Sequence, residues 1–254
     1  MKYFCETYFV SQLSEEKIND FINVQCQVFT RKPMTREDFE LKFQKNIFGD
    51  SIIVIVYDEN KNAAAARAFW RNDINGHLAY QPSDTAVCKE HRRQGLFVKM
   101  TQVALDLAGE EAIIYNYPNG NSYPQYIKLG WKDYAIQYAR IFTPRQYEKE
   151  DNTIIDSDYL RWWIKANINE KYGYVNFLGK TYLVRSLNSH GRYMVFGRIT
   201  KEDSKLFDKV HPLLLVYHST KRAFYSNKKR VGCNIVALNP REDVKIPNWK
   251  TDVL

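Results

Sequence analysis

Hydrophobic and polar positions follow two different periods along roughly the first 145 residues of the chain. Runs of apolar and β-branched residues have the length of strands, whereas other segments repeat apolar residues every three to four positions, as helices do. The run "SIIVIVYD" (residues 51–58) is almost continuously apolar, which predicts a strand buried on both faces. Pro82 predicts a break or bulge in the extended segment at residues 77–90. In order, the segments predict β-α-α-β-β-β-α-β-α-β, a mixed α/β arrangement.

Polar residues and glycines mark where the helices begin and end. Ser14 precedes two glutamates, and Thr35 is followed three residues later by Asp38, so both residues are predicted N-caps. A third helix is expected to begin after Gly95 and to end at Gly109. Its apolar residues fall on one face: Leu96, Met100, Val103, Ala104 and Leu107.

The pattern restarts at about residue 148, after the run "YAIQYARIF" (residues 134–142), which predicts the last strand of the first region. Residues 156–168 predict a helix with "LRWWI" on its apolar face, and five strand-length runs separated by turn residues follow. We therefore expect two domains, residues 1–147 and a smaller α+β domain at residues 148–254.

Composition adds that the chain is globular and basic. Hydrophobic residues make up 44% of the 254 residues and charged residues 26%, which favours a packed core over disorder. The net charge of +8 suits an anionic ligand. Because lysine and arginine are scattered, with one tight cluster at residues 228–230, we do not expect nucleic acid as a partner.

The four cysteines lie far apart, at Cys5, Cys26, Cys88 and Cys233, and form no CxxC pair. We therefore expect no metal site, and we expect reduced thiols that pack as small apolar side chains in a cytoplasmic protein. No apolar run approaches ~20 residues, so no membrane-spanning helix is expected.

One stretch combines features of an anion site. A predicted strand leads into "KEHRRQG", and a helix begins directly afterwards. The first backbone N–H groups of a helix lack partners within the helix, the helix dipole favours anions there, and Gly95 allows a ligand to approach the backbone. Arg92 and Arg93 add charged donors. The loop alone is equally compatible with an ordinary basic turn before a helix.

The wider stretch "AVCKEHRRQGLFVKMTQVAL" resembles the acyl-CoA signature of the GNAT superfamily of N-acyltransferases, [Q/R]-x-x-G-x-[G/A] between a strand and a helix. Arg92 and Gly95 match the first and fourth positions, and Phe97 stands where the pattern has a small residue.

A second motif of that family also has a counterpart. "NGNSYPQYIKLGW" presents its residues at the family's spacing: Asn119, Ser122, Tyr126, Gly130 and Trp131. The resemblance covers residues 1 to about 145 and is strongest between Asp84 and Trp131.

The resemblance implies a GNAT fold, in which a central, mostly antiparallel mixed sheet contains one splayed parallel strand pair and is flanked by helices. It also implies acetyl-CoA as cosubstrate, without a metal. The backbone of the strand would hold the pantetheine arm, and the loop amides would hold the pyrophosphate. The residues expected to bind CoA are Ala86, Val87, Cys88, Arg92, Arg93, Gln94, Gly95, Leu96, Phe97, Asn119 and Ser122.

The same resemblance implies that a primary amine attacks the thioester directly, with the oxyanion stabilised by a strand N–H near Val87. Tyr126 matches the tyrosine that protonates the departing thiolate, and Tyr123 in the same short helix is an alternative. Asp84 is a candidate base, although a loop or capping role explains an aspartate there equally simply. The family forms no acyl-enzyme, so we interpret the Cys88 thiol as a packing group.

We therefore predict an acetyl-CoA-dependent N-acetyltransferase that acts on a small amine. The two-part layout also resembles acyltransferases of bacterial surface-glycan pathways, which favours an amino sugar or nucleotide-linked amino sugar as acceptor. The second domain resembles a partial GNAT-like repeat without a second glycine motif, and it would form a wall of the acceptor site or a homodimer contact. Two alternatives remain open: a transferase that moves aminoacyl groups from tRNA to cell-wall peptides, and a non-catalytic module that binds acyl-CoA or a partner protein.

Overall fold

The computed structural model describes residues 2–151, 153–166, 171–187, 190–221, 234–241, 244 and 246. The strands are β1 (Phe4–Phe9), β2 (Ile52–Tyr57), β3 (Ala63–Arg71), β4 (Ala79–Val87), β5 (Ile113–Asn116), β6 (Lys132–Ile136), β7 (Tyr138–Ile141), β8 (Tyr172–Phe177), β9 (Lys180–Ser186), β10 (Arg192–Ile199), β11 (Leu214–Ser219) and β12 (Asn234–Leu238). The α-helices are α1 (Glu15–Val28), α2 (Arg36–Phe39), α3 (Leu96–Ala108), α4 (Tyr123–Lys128), α5 (Pro144–Glu150) and α6 (Ser157–Ala166).

The chain divides into two compact units that are not contiguous in sequence. The first comprises Met1–Asn116, Asn121–Lys132 and Val236–Val244, and the remaining residues form the second. The chain leaves the first unit at Tyr117–Gly120 and again after Lys132, and a late segment, Val236–Val244, returns to it. Local periodicity could not reveal this return, because it rests on pairing between residues more than one hundred positions apart, Val236 with Asn116.

The first unit contains a sheet with the strand order β1-β2-β3-β4-β5-β12. Its pairs are antiparallel except for β4 and β5, which are parallel. This confirms the predicted mixed, mostly antiparallel sheet. All six residues of β2 are buried, as its apolar run predicted, so both faces of the sheet are covered at this strand.

The helices of the first unit begin where the sequence indicated. The Ser14 side chain accepts a hydrogen bond from the backbone of Lys17, and Thr35 and Asp38 form a reciprocal capping box. Helix α3 starts after Gly95, and Gly109 is its C-cap. Its predicted apolar face packs on the sheet: Leu96, Met100 and Ala104 are buried, and Val103 is partly buried against the same core.

The irregularity of β4 lies beyond the position that the sequence indicated. Pro82 stays within the ladder and pairs with Phe69. The register shifts between Ser83 and Ala86, where β4 spans one residue more than β3. Asp84 lies in this bulge with φ at 45°. Proline was the wrong marker because its missing N–H is tolerated here, whereas the extra residue forces the backbone out of register.

The second unit contains a five-stranded sheet with the order β7-β11-β10-β9-β8. Its core is aromatic, with Phe142, Tyr147, Tyr182 and Tyr217 packed together. The run "YAIQYARIF", predicted as one strand, is two strands separated at Gln137. The cluster at residues 228–230 and Cys233 lie outside the described residues. Among the helices described, none combines the length and hydropathy needed to cross a membrane.

Candidate active site

An opening separates the two parallel strands at the centre of the first unit. Strands β4 and β5 pair only at Ala79 with Ile113 and at Tyr80 with Ile114. Beyond these pairs β4 continues to Val87 and β5 to Asn116, with no further register between them in the described residues. This confirms the predicted splayed pair, and it leaves one edge of β4 available to an extended ligand.

The loop that joins β4 to α3 has the conformation of an anion-binding turn. Arg93 adopts a φ of 62° and Gly95 a φ of 72°, so left-handed residues interrupt the extended backbone just before the helix. Within the described part of the chain, no side chain caps the first turn of α3. A Cβ atom on Gly95 would meet no described atom within 4 Å, so a ligand can approach the backbone at this residue. Successive N–H groups in such a turn converge on an anion.

The charged side chains of this loop are exposed, and one of them is used by the protein itself. The Arg92 Nε atom donates to the carbonyl oxygen of Val87 at 3.2 Å. Arg92 therefore braces the loop against the end of β4, while Arg93 and Gln94 lie exposed beside the open amides. Leu96 has the opposite environment and is buried in the core beneath α3.

The backbone N–H, the carbonyl oxygen and the thiol of Cys88 each form a hydrogen bond within the protein. Its backbone N–H donates to Ala64, its carbonyl oxygen accepts from His91, both at 3.0 Å, and its thiol donates to Gln27 at 3.2 Å. The expected strand-like bonds from Cys88 to a pantetheine arm do not fit this arrangement, whereas Ala86 and Val87 precede it on the open strand. Burial raises the pKa of the Cys88 thiol, which opposes thiolate formation and agrees with a packing role.

Tyr126 is anchored by its hydroxyl oxygen. The side chain is 2% exposed and packs against the Trp131 ring, with 4.5 Å between the ring centroids. Its oxygen accepts one hydrogen bond from Arg67 Nη2 at 2.5 Å and another from Asn116 Nδ2 at 2.6 Å. These contacts join α4 to the middle of β3 and to the end of β5, and they orient the hydroxyl proton away from both donors.

Arg67 was not identified from the sequence, although it lies at the centre of this cluster. Its side chain is fully buried, and its Nη1 atom donates to Thr101 Oγ1 at 2.6 Å. The guanidinium carbon lies 4.3 Å from the centroid of the Phe97 ring, a cation–π contact. Desolvation lowers the pKa of Arg67, and the neighbouring Tyr126 opposes that effect. A lone arginine within the apolar run "AAAARAF" was the available signal.

The position of Phe97 explains its departure from the family pattern. Its ring meets the Tyr126 ring edge to face, at 5.4 Å and 80°, and covers the Arg67 guanidinium. The ring therefore packs into the interior cluster, and its bulk does not lie over the open amides of Gly95 and its neighbours.

Asp84 belongs to a separate cluster. Its Oδ2 atom accepts hydrogen bonds from Lys42 Nζ at 2.8 Å and Ser83 Oγ at 2.7 Å, and its carbonyl oxygen accepts one from Gln25 at 2.6 Å. This network holds the β4 bulge in place, so Asp84 has a structural role, the alternative to a role as base. Within the described residues, Asp84 and Tyr126 share no hydrogen-bond partner.

The other predicted residues of α4 and its loop have different environments. Ser122 is the N-cap residue of α4, and its carbonyl oxygen accepts from the backbone N–H groups of Gln125 and Tyr126. Tyr123 is partly buried against the core beneath α3. Asn119 is exposed. It lies in the segment Tyr117–Gly120, which belongs to the second unit.

Residues 10–133 match the family described as the acetyltransferase (GNAT) domain. With the splayed strand pair and the glycine turn before α3, this match shows that the protein is an acyltransferase. Residues 10–133 are therefore identified as a GNAT acetyltransferase domain.

Solved structures agree on the fold. A GCN5-related N-acetyltransferase from Kribbella flavida is 11% identical, with 91% of this chain and 71% of that chain covered and a TM-score of 0.51. A conserved protein from Enterococcus faecalis V583 is 12% identical, with coverage of 93% and 72% and a TM-score of 0.51. Eis1 from Mycobacterium abscessus is 12% identical, with coverage of 84% and 65% and a TM-score of 0.50. A comparison with curated proteins gives no match.

Proposed function

We propose that the protein transfers the acetyl group of acetyl-CoA to the primary amine of a small molecule. The observation that carries this proposal is the turn before α3, where Arg93 and Gly95 are left-handed and, among the described residues, no side chain caps the helix and nothing fills the space at Gly95. An uncapped helix start favours a pyrophosphate through both its N–H groups and its dipole. The exposed Arg93 adds a positive charge at the same place.

The open edge of β4 supports a matching role for the strand. Ala86 and Val87 lie on β4, the strand that separates from β5, between the β4 bulge and the turn before α3. An acyl-pantetheine arm in this opening would bring its thioester to a backbone N–H near Val87, which would stabilise the oxyanion formed by amine attack. Tyr126 would then donate its proton to the departing thiolate.

The intact turn at residues 93–97 favours CoA as the donor over an aminoacyl-tRNA. Three free thiols in the described chain, Cys5, Cys26 and Cys88, suit a reducing, cytoplasmic compartment. The net charge of +8 is compatible with an acceptor that carries phosphate, such as a nucleotide-linked amino sugar.

A screen for thiol release tests this function. Acetyl-CoA is mixed with the protein and one amine at a time: amino sugars, nucleotide-linked amino sugars, polyamines, aminoglycosides or peptides with free N-termini. We expect thiol release that depends on both enzyme and amine, and faster with an amino sugar than with a peptide. Absence of release with every amine, together with no binding of acetyl-CoA in calorimetry, would contradict the proposal.

A further inference from the structure

The Arg67 guanidinium is a buried cation without a carboxylate partner in the described residues. Burying an unpaired charge is costly, and proteins normally balance it with an anion. The groups around Arg67 are the Thr101 hydroxyl, the Tyr126 hydroxyl and the faces of aromatic rings, of which Phe97 is the nearest. Its Nε atom has no hydrogen-bond partner in the described part of the chain. Among these neighbours only Tyr126 can become an anion.

The hydrogen bonds of Tyr126 are arranged for loss of its proton. A tyrosine hydroxyl has one proton to donate and accepts through its oxygen. Arg67 and Asn116 both donate to that oxygen, at 2.5 and 2.6 Å. No acceptor for the hydroxyl proton is recorded among the described residues. The proton is therefore free for transfer, and the two donors remain in place to bind the oxygen afterwards.

We propose that Arg67 is a positioning residue that stabilises the Tyr126 phenolate formed when Tyr126 protonates the departing thiolate. This inference rests on the proposed function, in which Tyr126 is the acid. As the amine nitrogen bonds to the acetyl carbon and the carbon–sulfur bond breaks, the sulfur takes the Tyr126 proton. The nitrogen loses one proton once it has bonded to the acetyl carbon. Uptake of one proton then returns the phenolate to the neutral Tyr126 hydroxyl.

The interior setting strengthens this effect. A charge-assisted hydrogen bond between guanidinium and phenolate is stronger at a site that excludes water than at the surface. Thr101 holds Nη1 and the Phe97 ring covers the guanidinium face, so Nη2 keeps its direction toward Tyr126. The Tyr126 phenolate would thus neutralise the buried Arg67 guanidinium for as long as the phenolate exists.

A double-mutant cycle on kcat separates this role from a structural one. Turnover of acetyl-CoA with the best amine is compared for the wild type, Arg67→Met, Tyr126→Phe and the double variant. We expect Arg67→Met to lower kcat on the order of tenfold to a hundredfold, with the KM for acetyl-CoA within about twofold. In the Tyr126→Phe background the same substitution is expected to change kcat by less than about twofold, because the phenolate no longer forms.

Further variants act as controls. Arg71→Met removes an arginine from the same strand that pairs with Asp73 instead, and it is expected to leave kcat unchanged. Arg67→Lys keeps the charge but loses the fork of donors, so kcat should lie between the wild type and Arg67→Met. If Arg67→Met does not fold, the cycle is run with Thr101→Val, which releases one arm of the guanidinium and keeps its charge.

The outcomes separate the two claims. Equal fold-losses from the Arg67 substitution in both backgrounds would overturn the inference while leaving the acetyltransferase function standing. An active wild type with an unaffected Tyr126→Phe variant would remove Tyr126 as the acid and the inference with it. A wild type that releases no thiol with any amine would overturn both.

Discussion

At the scale of single residues, Tyr126 connects the sequence motif to the chemistry. Its position in "NGNSYPQYIKLGW" predicted a role, but its surroundings could not be predicted. Arg67, which donates to its oxygen, lies 59 residues earlier, and no spacing rule links a strand residue to a helix that distant in sequence. The hydroxyl oxygen accepts from two donors, and no described residue accepts its proton, an arrangement that suits an acid more than a packing tyrosine.

Replacing this hydroxyl tests the assignment. Tyr126→Phe keeps the ring contacts with Phe97 and Trp131 but removes the proton, so we expect kcat to fall by about a hundredfold while acetyl-CoA affinity changes little. Tyr123→Phe, in the same helix, is the comparison. Steady-state kinetics and calorimetry measure the two quantities, and a larger loss with Tyr123→Phe would move the acid to Tyr123.

At the scale of elements, the turn before α3 was predictable and the bulge in β4 was not. The glycine at the helix start is visible in the sequence, and the structure adds that its backbone is left-handed. The bulge depends on how Asp84, Ser83 and Lys42 interact, which a sequence pattern does not encode. Phe97 was the residue at odds with the family pattern, and packing against Arg67 accounts for it.

Two glycines lie at opposite ends of α3. Gly95 and Gly109 both have positive φ, and among the described residues an added Cβ would meet no atom within 4 Å at either position. Alanine is expected to cost about 1 kcal/mol of stability at Gly95, whose backbone is left-handed, and more at Gly109, whose φ of 80° and ψ of 163° suit glycine almost exclusively. Only Gly95→Ala is expected to weaken acetyl-CoA binding, by about tenfold, because its Cβ would occupy space that the pyrophosphate needs at the turn before α3. Equal affinities of the two variants for acetyl-CoA in calorimetry would contradict the assignment of the turn before α3 as the pyrophosphate site.

Strand β11 of the second unit carries a pH-sensitive residue. Burial, assisted by the charge of Arg185, lowers the pKa of His218 from 6.5 to about 4. The unfolded chain therefore binds a proton between these values while the folded chain does not, and stability should fall as pH drops from 6.5 toward 4. His218→Gln is expected to reduce that loss by on the order of 2 kcal/mol. Urea titrations at pH 7.5 and 5 measure it, and an unchanged difference would contradict the assignment.

At the scale of the whole molecule, the succession of strands and helices was predictable but the division into units was not. The pattern of apolar residues indicated the elements up to β5 in the correct order. It could not show that β12 returns to the first sheet, because hydrophobic period identifies a strand without identifying its neighbour. The boundary expected at residue 147 rests on a polar stretch and stays a prediction, whereas the compact units depend on contacts between segments distant in sequence.

The central claim is direct transfer of an acetyl group from acetyl-CoA to an amine in the first unit. The most direct measurement is mass spectrometry of the protein and the amine in one reaction, alongside thiol release. We predict one acetylated amine for each thiol released, with no acetyl group on the protein when amine is omitted. Acetylated protein that passes its acetyl group to amine would contradict direct attack, and thiol release without an acetylated amine would contradict the transfer itself.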